Sequence, residues 1–253
     1  MRMLNTPDRR DDDVARTLGN RLREGSDLAG RVADIARAVP GRVAFSTSLG
    51  LEDQAILHAI AGSGAGVDVF TLDTGRLFPE TLDTLADTER RYGLRIRVLS
   101  PDASAVEDLI GRDGVLGFRL SLEARKACCD VRKVGPLRRA LADAAAWITG
   151  LRRGQSAGRA EVPFAVWDGD FQLLKVNPIA DWGTEQLEAY IRAHDIPINP
   201  LHARGFPSIG CQPCTRAIRA GESIRAGRWW WENEDGKECG LHAREPDRAG
   251  APA

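Results

Sequence analysis

The sequence predicts an α/β protein: a twisted, parallel-type sheet with helices on both faces, followed by an irregular carboxyl-terminal tail. Three observations carry that prediction. Short apolar runs alternate with longer helical patterns between residues 42 and 99, as in βα units whose strands are buried on both faces. Small, polar or basic residues stand at three of the strand ends, where open α/β sheets bind their ligands. Beyond Asp195 the periodicity gives way to Pro, Gly and Arg, which suits an appendage better than a sheet.

In chain order, residues 1–13, with Asp8-Arg9-Arg10-Asp11-Asp12-Asp13, have almost nothing apolar to bury and read as a disordered or frayed tail. Leu28, Val32, Ile35 and Val39 recur at helical spacing behind a cap at Ser26 or Asp27. Residues 42–45 form a strand that runs into Ser46-Thr47-Ser48-Leu49-Gly50-Leu51-Glu52-Asp53, and 54–61 is its helix. Residues 67–72 make a second strand ending in Asp73-Thr74-Gly75-Arg76, 79–92 a helix, and 94–99 a third strand. A helical region surrounds Cys128 and Cys129 and continues through Leu141; 146–149 is a strand ending in Gly150-Leu151-Arg152-Arg153-Gly154. Residues 171–179 read as an edge strand closed by Asn177-Pro178, and 184–194 as a helix. The organisation expected is a tail and leading helix over 1–25, partly disordered, a nucleotide-binding α/β domain over 26–200, and a carboxyl-terminal segment over 201–253.

The composition excludes several classes. With 253 residues, 43% of them hydrophobic, and a formal charge of −1, the chain can bury one sizeable core and lacks the basic excess of a general nucleic-acid binder. No apolar run approaches the ~18 residues a membrane span needs, and Met1 to Asp13 is polar rather than a secretory signal. A cytoplasmic location is expected, with no nucleic-acid and no membrane partner.

The five cysteines are the sharpest signal. Cys128 and Cys129 lie within Arg125-Lys126-Ala127-Cys128-Cys129-Asp130-Val131-Arg132-Lys133, and Cys211-Gln212-Pro213-Cys214 supplies two more thiols at i, i+3 spacing. Successive helical residues point about 100° apart, so the Cys pair can share a metal centre only if that centre is multinuclear or the helix ends or distorts there. A cube of iron and sulfide suits the pair better than one tetrahedral Zn²⁺, and its net negative charge would be offset by Arg125, Lys126, Arg132 and Lys133. A structural zinc site and inert buried thiols are the competing readings. A disulfide between neighbours is strained and, without a secretory signal, disfavoured.

Other residues point to anion chemistry. Ser46, Thr47, Ser48 and Gly50 can present hydroxyls and backbone N–H groups at a helix amino terminus, although this loop lacks the Gly-Lys-Ser/Thr ending of a Walker A motif; an ordinary capped turn is the alternative. Asp73 and Thr74 could meet a ribose or base, or cap the next helix. Arg152 and Arg153, flanked by glycines, can grip phosphate or sulfate oxygens bidentately. Cys239, on a charged and Gly-flanked tail, reads as a nucleophile, a resolving thiol or an incidental surface thiol. Arg225, Arg228 and Trp229-Trp230-Trp231 form a basic and aromatic hinge, the Trp run anchoring the tail.

Taken together, Ser46-Thr47-Ser48-Leu49-Gly50, the Lys-Ala-Cys-Cys stretch ending at Cys129, Thr149-Gly150-Leu151-Arg152-Arg153, the Cys211/Cys214 pair and Glu238-Cys239-Gly240-Leu241-His242 resemble the assimilatory adenylyl-sulfate reductases of the APS/PAPS reductase family. The resemblance runs over residues ~42 to ~242 and implies a fold like the adenine-nucleotide α-hydrolases. It implies reduction of adenosine 5′-phosphosulfate to sulfite and AMP through an S-sulfocysteine on Cys239, with thioredoxin or a similar dithiol as donor, in cysteine biosynthesis. It further implies one [4Fe–4S] cluster per chain on Cys128, Cys129, Cys211 and Cys214. Lys133 would lie between cluster and substrate, and Arg225 and Arg228, with Arg152 or Arg153, would hold the phosphosulfate. A homo-oligomer is compatible with it.

Three other functions compete. Members of that family without the cysteine pairs use the 3′-phosphorylated substrate, and a PAPS reductase is therefore one alternative. A non-catalytic zinc module would leave Cys239 and the Arg pairs idle. A nucleic-acid thiolating enzyme would carry a Ser-Gly-Gly-x-Asp-Ser loop, which Ser46 to Asp53 is not.

Overall fold

The computed structural model describes residues 9–25, 27–155 and 159–232. By its internal contacts the chain falls into two compact units, one of Met1–Thr71, Asp83–Arg97 and Leu141–Asn199, the other of Leu72–Leu82, Val98–Ala140 and Pro200–Ala253.

The first unit opens with helix α1 (Arg9–Glu24), whose Ala15, Leu18 and Leu22 recur at helical spacing and are buried. The helix thus begins inside the stretch expected to be tail, and its acidic first turn favours that start. Helix α2 (Leu28–Ala38) follows, capped by Asp27, whose carboxylate accepts from Gly30 N at 2.8 Å. Then come β1 (Arg42–Thr47), α3 (Leu51–Ser63) and β2 (Val67–Leu72). Helix α4 (Pro79–Tyr92) leads to β3 (Arg97–Leu99). Strand β4 (Ala144–Ile148), β5 (Ala165–Asp168), β6 (Leu173–Val176) and α8 (Thr184–Ala193) complete this part, while α5 (Ala103–Asp113), α6 (Leu122–Cys129) and α7 (Gly135–Leu141) lie between β3 and β4 in the chain.

The six strands form one sheet in the order β3-β2-β1-β4-β6-β5, flanked by helices. Strand β1 pairs in parallel with β2 and β4, and β4 with β6; β5 runs antiparallel to β6. The core joins Leu18 and Leu22 of α1 and Val32 and Ile35 of α2 to Phe45, Ile56, Ile148, Val176 and Leu187. Helix α3 is buried nearly all round, so its sequence shows little amphipathic period.

Two expectations are corrected here, and one helix is added. Residues 171–179 supply the interior β6, whose residues are mostly buried, and the edge beside it is β5. Behind Pro163, β5 is only four residues long and half-exposed, too short to show a period. The third strand is shorter than 94–99, because Ile96 N donates to Glu89 Oε1 at 2.8 Å, bonding back toward α4 rather than into the ladder. Helix α5, capped by Asp102 on Ala105 N, has only Leu109 buried and went unread.

Among the described residues no helix is long and apolar enough to cross a membrane. If α1 belongs to the core as its buried face indicates, Leu22→Ala should lower the unfolding free energy by about 2–5 kcal/mol in urea titration; a loss below about 0.5 kcal/mol, the range of surface changes, would show that α1 is an ornament.

Candidate functional site

In the first unit, the segment after β1 carries the anion-type loop. Thr47 O accepts from Thr71 Oγ1 at 2.8 Å, and Thr47 Oγ1 accepts from Leu49 N at 3.0 Å. Leu49 is buried at φ 61°, a left-handed conformation uncommon for a leucine. Gly50 caps α3 through its backbone alone. From the first turn of α3, Asp53 reaches back so that its Oδ2 accepts from both Ser48 N and Ser48 Oγ, each at 2.6 Å. Burial pushes the Asp53 carboxyl up to about 6 against the lowering effect of those bonds, and Glu52 adds to the rise. Ser46 Oγ accepts from Trp147 Nε1 at 2.8 Å.

The loop after β4 meets the same helix start. A Cβ on Gly150 would overlap Asp53 Oδ1 and lie 3.0 Å from Glu52 Cβ, so glycine is required there by close approach. Arg152 is buried; its Nε and Nη2 donate to Glu52 Oε1 at 3.1 and 2.7 Å and its Nη1 to Trp182 O at 3.1 Å. Arg153 donates from Nε to Val162 O at 3.0 Å and lies 5.3 Å over the Phe164 ring.

The second unit holds the thiols. Helix α6, capped by Ser121 Oγ on Ala124 N at 3.1 Å, ends at Cys129 and passes into a π-helical turn, Asp130–Val134, before α7. The helix therefore distorts immediately after the Cys pair, one of the two conditions under which neighbouring cysteines could share a centre. Buried Cys214 packs with Phe118 and Trp229, and half-buried Cys128 and Cys211 pack against the same cluster. Cys129, also half-buried, is not part of it. Burial drives the Cys214 thiol up to about 12, with Cys211 adding to the rise and Lys133 and Arg228 opposing it. Burial likewise raises Cys128, against Arg76 and Arg132. Among the described residues no group of three or more His, Cys, Asp or Glu is arranged to hold a metal ion.

Neighbouring residues brace this cluster. Thr74 is buried with its Oγ1 3.2 Å from Cys211 Sγ, and Thr74 O accepts from Arg132 Nη1 at 2.7 Å. Asp73 turns inward on its own chain, accepting from Gly75 N at 2.9 Å. Trp229 N donates to Cys214 O at 3.1 Å, and the Trp229 ring is faced by Arg125 at 4.3 Å, Arg228 at 4.7 Å and Arg225 at 5.9 Å. Arg125 Nε donates to Glu232 Oε1 at 2.6 Å, both groups being almost wholly buried. A Cβ on Gly210 would overlap the Arg228 guanidinium.

Within the first unit, then, Ser46 and Thr47 end β1, where a loop had been expected, Ser48 and Gly50 follow on the loop, and Arg152 is tied to the helix this loop begins. Within the second, Cys128, Cys211 and Cys214 gather with Thr74 and Lys133, and Arg225 and Arg228 gather on Trp229. Cys239 lies outside the described residues. Sequence reading passed over Asp53, Glu52, Arg76 and Phe118; the signal for the carboxylates was Glu-Asp at the start of a helix with no other cap.

The fold has a solved counterpart, and the family follows from the sequence. The chain superposes on phosphoadenylyl-sulfate (PAPS) reductase from Candida auris, a phosphate complex, with a TM-score of 0.69 at 23% identity, covering 85% of this chain and 99% of that one. The match to the phosphoadenosine phosphosulfate reductase domain spans residues 42–217, and the chain belongs to that family. Over 218 residues it is 55% identical to an adenosine 5′-phosphosulfate reductase of Agrobacterium fabrum, covering 86% of this chain and 84% of the relative. A Sinorhizobium fredii (strain NBRC 101917 / NGR234) protein of the same name is 52% identical over 231 residues, 91% of each chain. The reading of the chain as an enzyme of this reductase family is thereby borne out.

Two outcomes test the site's energetics. Arg125→Ala strands Glu232 in a buried position and should cost about 3–5 kcal/mol in unfolding free energy, with the double variant Arg125→Ala/Glu232→Ala recovering part of the loss; no recovery would show that the two groups are uncoupled. Because folding raises the Asp53 carboxyl, the unfolded chain gives up this proton first, and stability falls as pH rises from about 4 to 6. Relative to Asp53→Asn, the wild type should lose up to about 3 kcal/mol across that window, measured by denaturant midpoints; parallel curves would refute it.

Proposed function

We propose that the chain reduces adenosine 5′-phosphosulfate to sulfite and AMP in the cytosol, with thioredoxin or a similar dithiol as electron donor, in sulfate assimilation. The observation that carries this reading is the thiol group of Cys128, Cys211 and Cys214 amid Arg76, Arg132, Lys133 and Arg228, in a chain whose relatives bear the name of that reductase.

The Cys239 thiolate attacks the sulfuryl sulfur, the bond from sulfur to the phosphate oxygen breaks, and AMP leaves. Cys239 then carries an S-sulfo group. A thiolate of the donor attacks the Cys239 sulfur, sulfite departs with the electron pair, and the donor's second thiol resolves the mixed disulfide and frees Cys239. Sulfur gains the two electrons that the donor dithiol loses.

Cations favour this chemistry because negative charge moves onto the leaving phosphate. Lys133, Arg225, Arg228 and Arg153 are assigned that role; among the described residues the Arg153 guanidinium hydrogen-bonds through its Nε, whereas Arg152 is spent on Glu52 and Trp182 O. Ser46, Thr47, Ser48 and Gly50 would take the nucleotide's anionic end, and Asp73 and Thr74 are assigned to its neighbourhood. An iron–sulfur group is supported by Cys128, Cys211 and Cys214 sharing an apolar cluster faced by cations, and by the distortion of α6 beside its Cys pair. We assign one [4Fe–4S] cluster to Cys128, Cys129, Cys211 and Cys214; when bound it would supply thiolate–iron bonds that hold α6 and the 211–214 turn together.

Purified without oxygen and given thioredoxin, the protein should release sulfite from adenosine 5′-phosphosulfate far faster than from its 3′-phosphorylated relative. Comparable or reversed kcat/KM values would point to the alternative substrate. Iron and acid-labile sulfide should be present in equal amounts, roughly four of each per chain, and stoichiometric zinc without sulfide would sink the cluster assignment. Cys239→Ser should abolish turnover while leaving nucleotide affinity within a few fold; full activity in that variant would show that the nucleophile lies elsewhere.

A further inference from the structure

The pairing of Asp53 with Ser48 puts a carboxylate where an anion-binding loop would otherwise offer its donors. We propose that Asp53 is an internal occupant of the loop: it holds the Ser48 N–H and O–H in the empty protein, and nucleotide binding takes up a proton as the incoming anion claims those donors. The inference rests on the reading of 46–50 as the nucleotide's anion loop.

The geometry argues for more than a helix cap. Both Ser48 donors converge on one oxygen, Asp53 Oδ2, at 2.6 Å each, so a single carboxylate oxygen takes the loop's backbone amide and its hydroxyl together. The other oxygen, Oδ1, lies where a Cβ on Gly150 would overlap it, so the segment after β4 runs close to the carboxylate. Among the described residues, Ser48 N and Oγ are its hydrogen-bond donors. Of the charges that face it, Glu52 on the same helix is also acidic, and the nearby Arg152, from the segment after β4, is committed to Glu52. A buried carboxylate with no cation of its own is costly to keep ionised, and burial raises its proton affinity to near pH 6.

An anion brought to the Ser48 donors meets that negative charge in a medium where repulsion is weakly screened. Protonation removes the charge and weakens the hold on Ser48 at once. Binding and protonation are then linked: the anion favours neutral Asp53, and affinity is greatest below about pH 6 and falls as pH rises through it. A plain capping role predicts the opposite response to removing the charge, because a loosened loop binds less tightly at every pH.

Adenosine 5′-phosphosulfate is a suitable probe because its own charge stays constant between pH 5 and 8. Calorimetric titration of the full chain carrying Cys239→Ser, in two buffers of different ionisation enthalpy at pH 7, should show about one proton taken up per nucleotide bound. Its affinity should fall about tenfold between pH 6 and 7.5. Adding Asp53→Asn should abolish both effects and tighten binding at pH 8 by several fold. Binding without proton uptake, or an Asp53→Asn loss equal at all pH values, would overturn the inference while leaving the loop's nucleotide role standing. Binding that survives intact in Ser48→Ala with Gly50→Pro, or no binding at any pH in the parent, would overturn the loop reading and this inference with it.

Discussion

The tight approach of Gly150 to the first turn of α3 is the constraint on which the first unit's chemistry depends. Strand β4 lies beside β1, so the segments leaving their carboxyl ends are neighbours by topology. Only a residue without Cβ lets the β4 segment pass over Asp53 and Glu52. That passage brings Arg152 to Glu52 and sets Asp53 against Ser48. Each carboxylate of the Glu-Asp pair thus has a separate task. Glu52 gathers the far loop through a guanidinium, and Asp53 gathers the near loop through a serine. The two loops are fixed by one half-turn of helix, and a side chain at 150 would disturb both together.

The second unit solves a different problem. Thiols are easily buried as neutral groups, and the apolar surroundings of Cys214 resist the loss of its proton. Arg76, Arg132, Lys133 and Arg228 oppose the resistance. Desolvation alone would make the thiols inert, and cations alone would leave them exposed to oxidants. The combination keeps them shielded while lowering the cost of ionising them. Trp229 links the two requirements, since one face of the cluster is its ring and the same ring is flanked by three guanidinium groups.

How legible this was in the sequence depended on whether the signal was local. Strands β1, β2 and β4 and helices α2, α4 and α8 were readable because each carries its own period or punctuation. The distortion beside Cys128 and Cys129 was legible only as one of two conditions, a multinuclear centre being the other, under which neighbouring cysteines could share a centre. Strand β5 was not, because four half-exposed residues acquire meaning only through pairing with β6. Nor was the true start of α1, since Asp11 to Asp13 look like tail until Ala15, Leu18 and Leu22 have a core to join. At the site, residue types were legible and their partners were not. Ser48 was visible as a loop hydroxyl, but that it is already claimed by Asp53 is a tertiary fact.

Arginine shows the same limit most sharply, and its chemistry explains why. A planar guanidinium with five donors can satisfy a carboxylate and a carbonyl together, which an ammonium group does less well. Arg31 does so with Asp181 and Pro178 O, and Arg152 with Glu52 and Trp182 O. Each tie spans more than twenty-five residues and closes a loop onto the body of the first unit, so a buried arginine here acts as a cross-link. The geometry that suits an arginine to phosphosulfate is the geometry that suits it to such a cross-link. An arginine in a motif therefore announces an oxyanion or a carbonyl to be bound, without saying whether the protein or a ligand supplies it. For Arg152 the protein supplies it; for Arg153 it does so through Val162 O, with Asp181 as a nearby counter-charge.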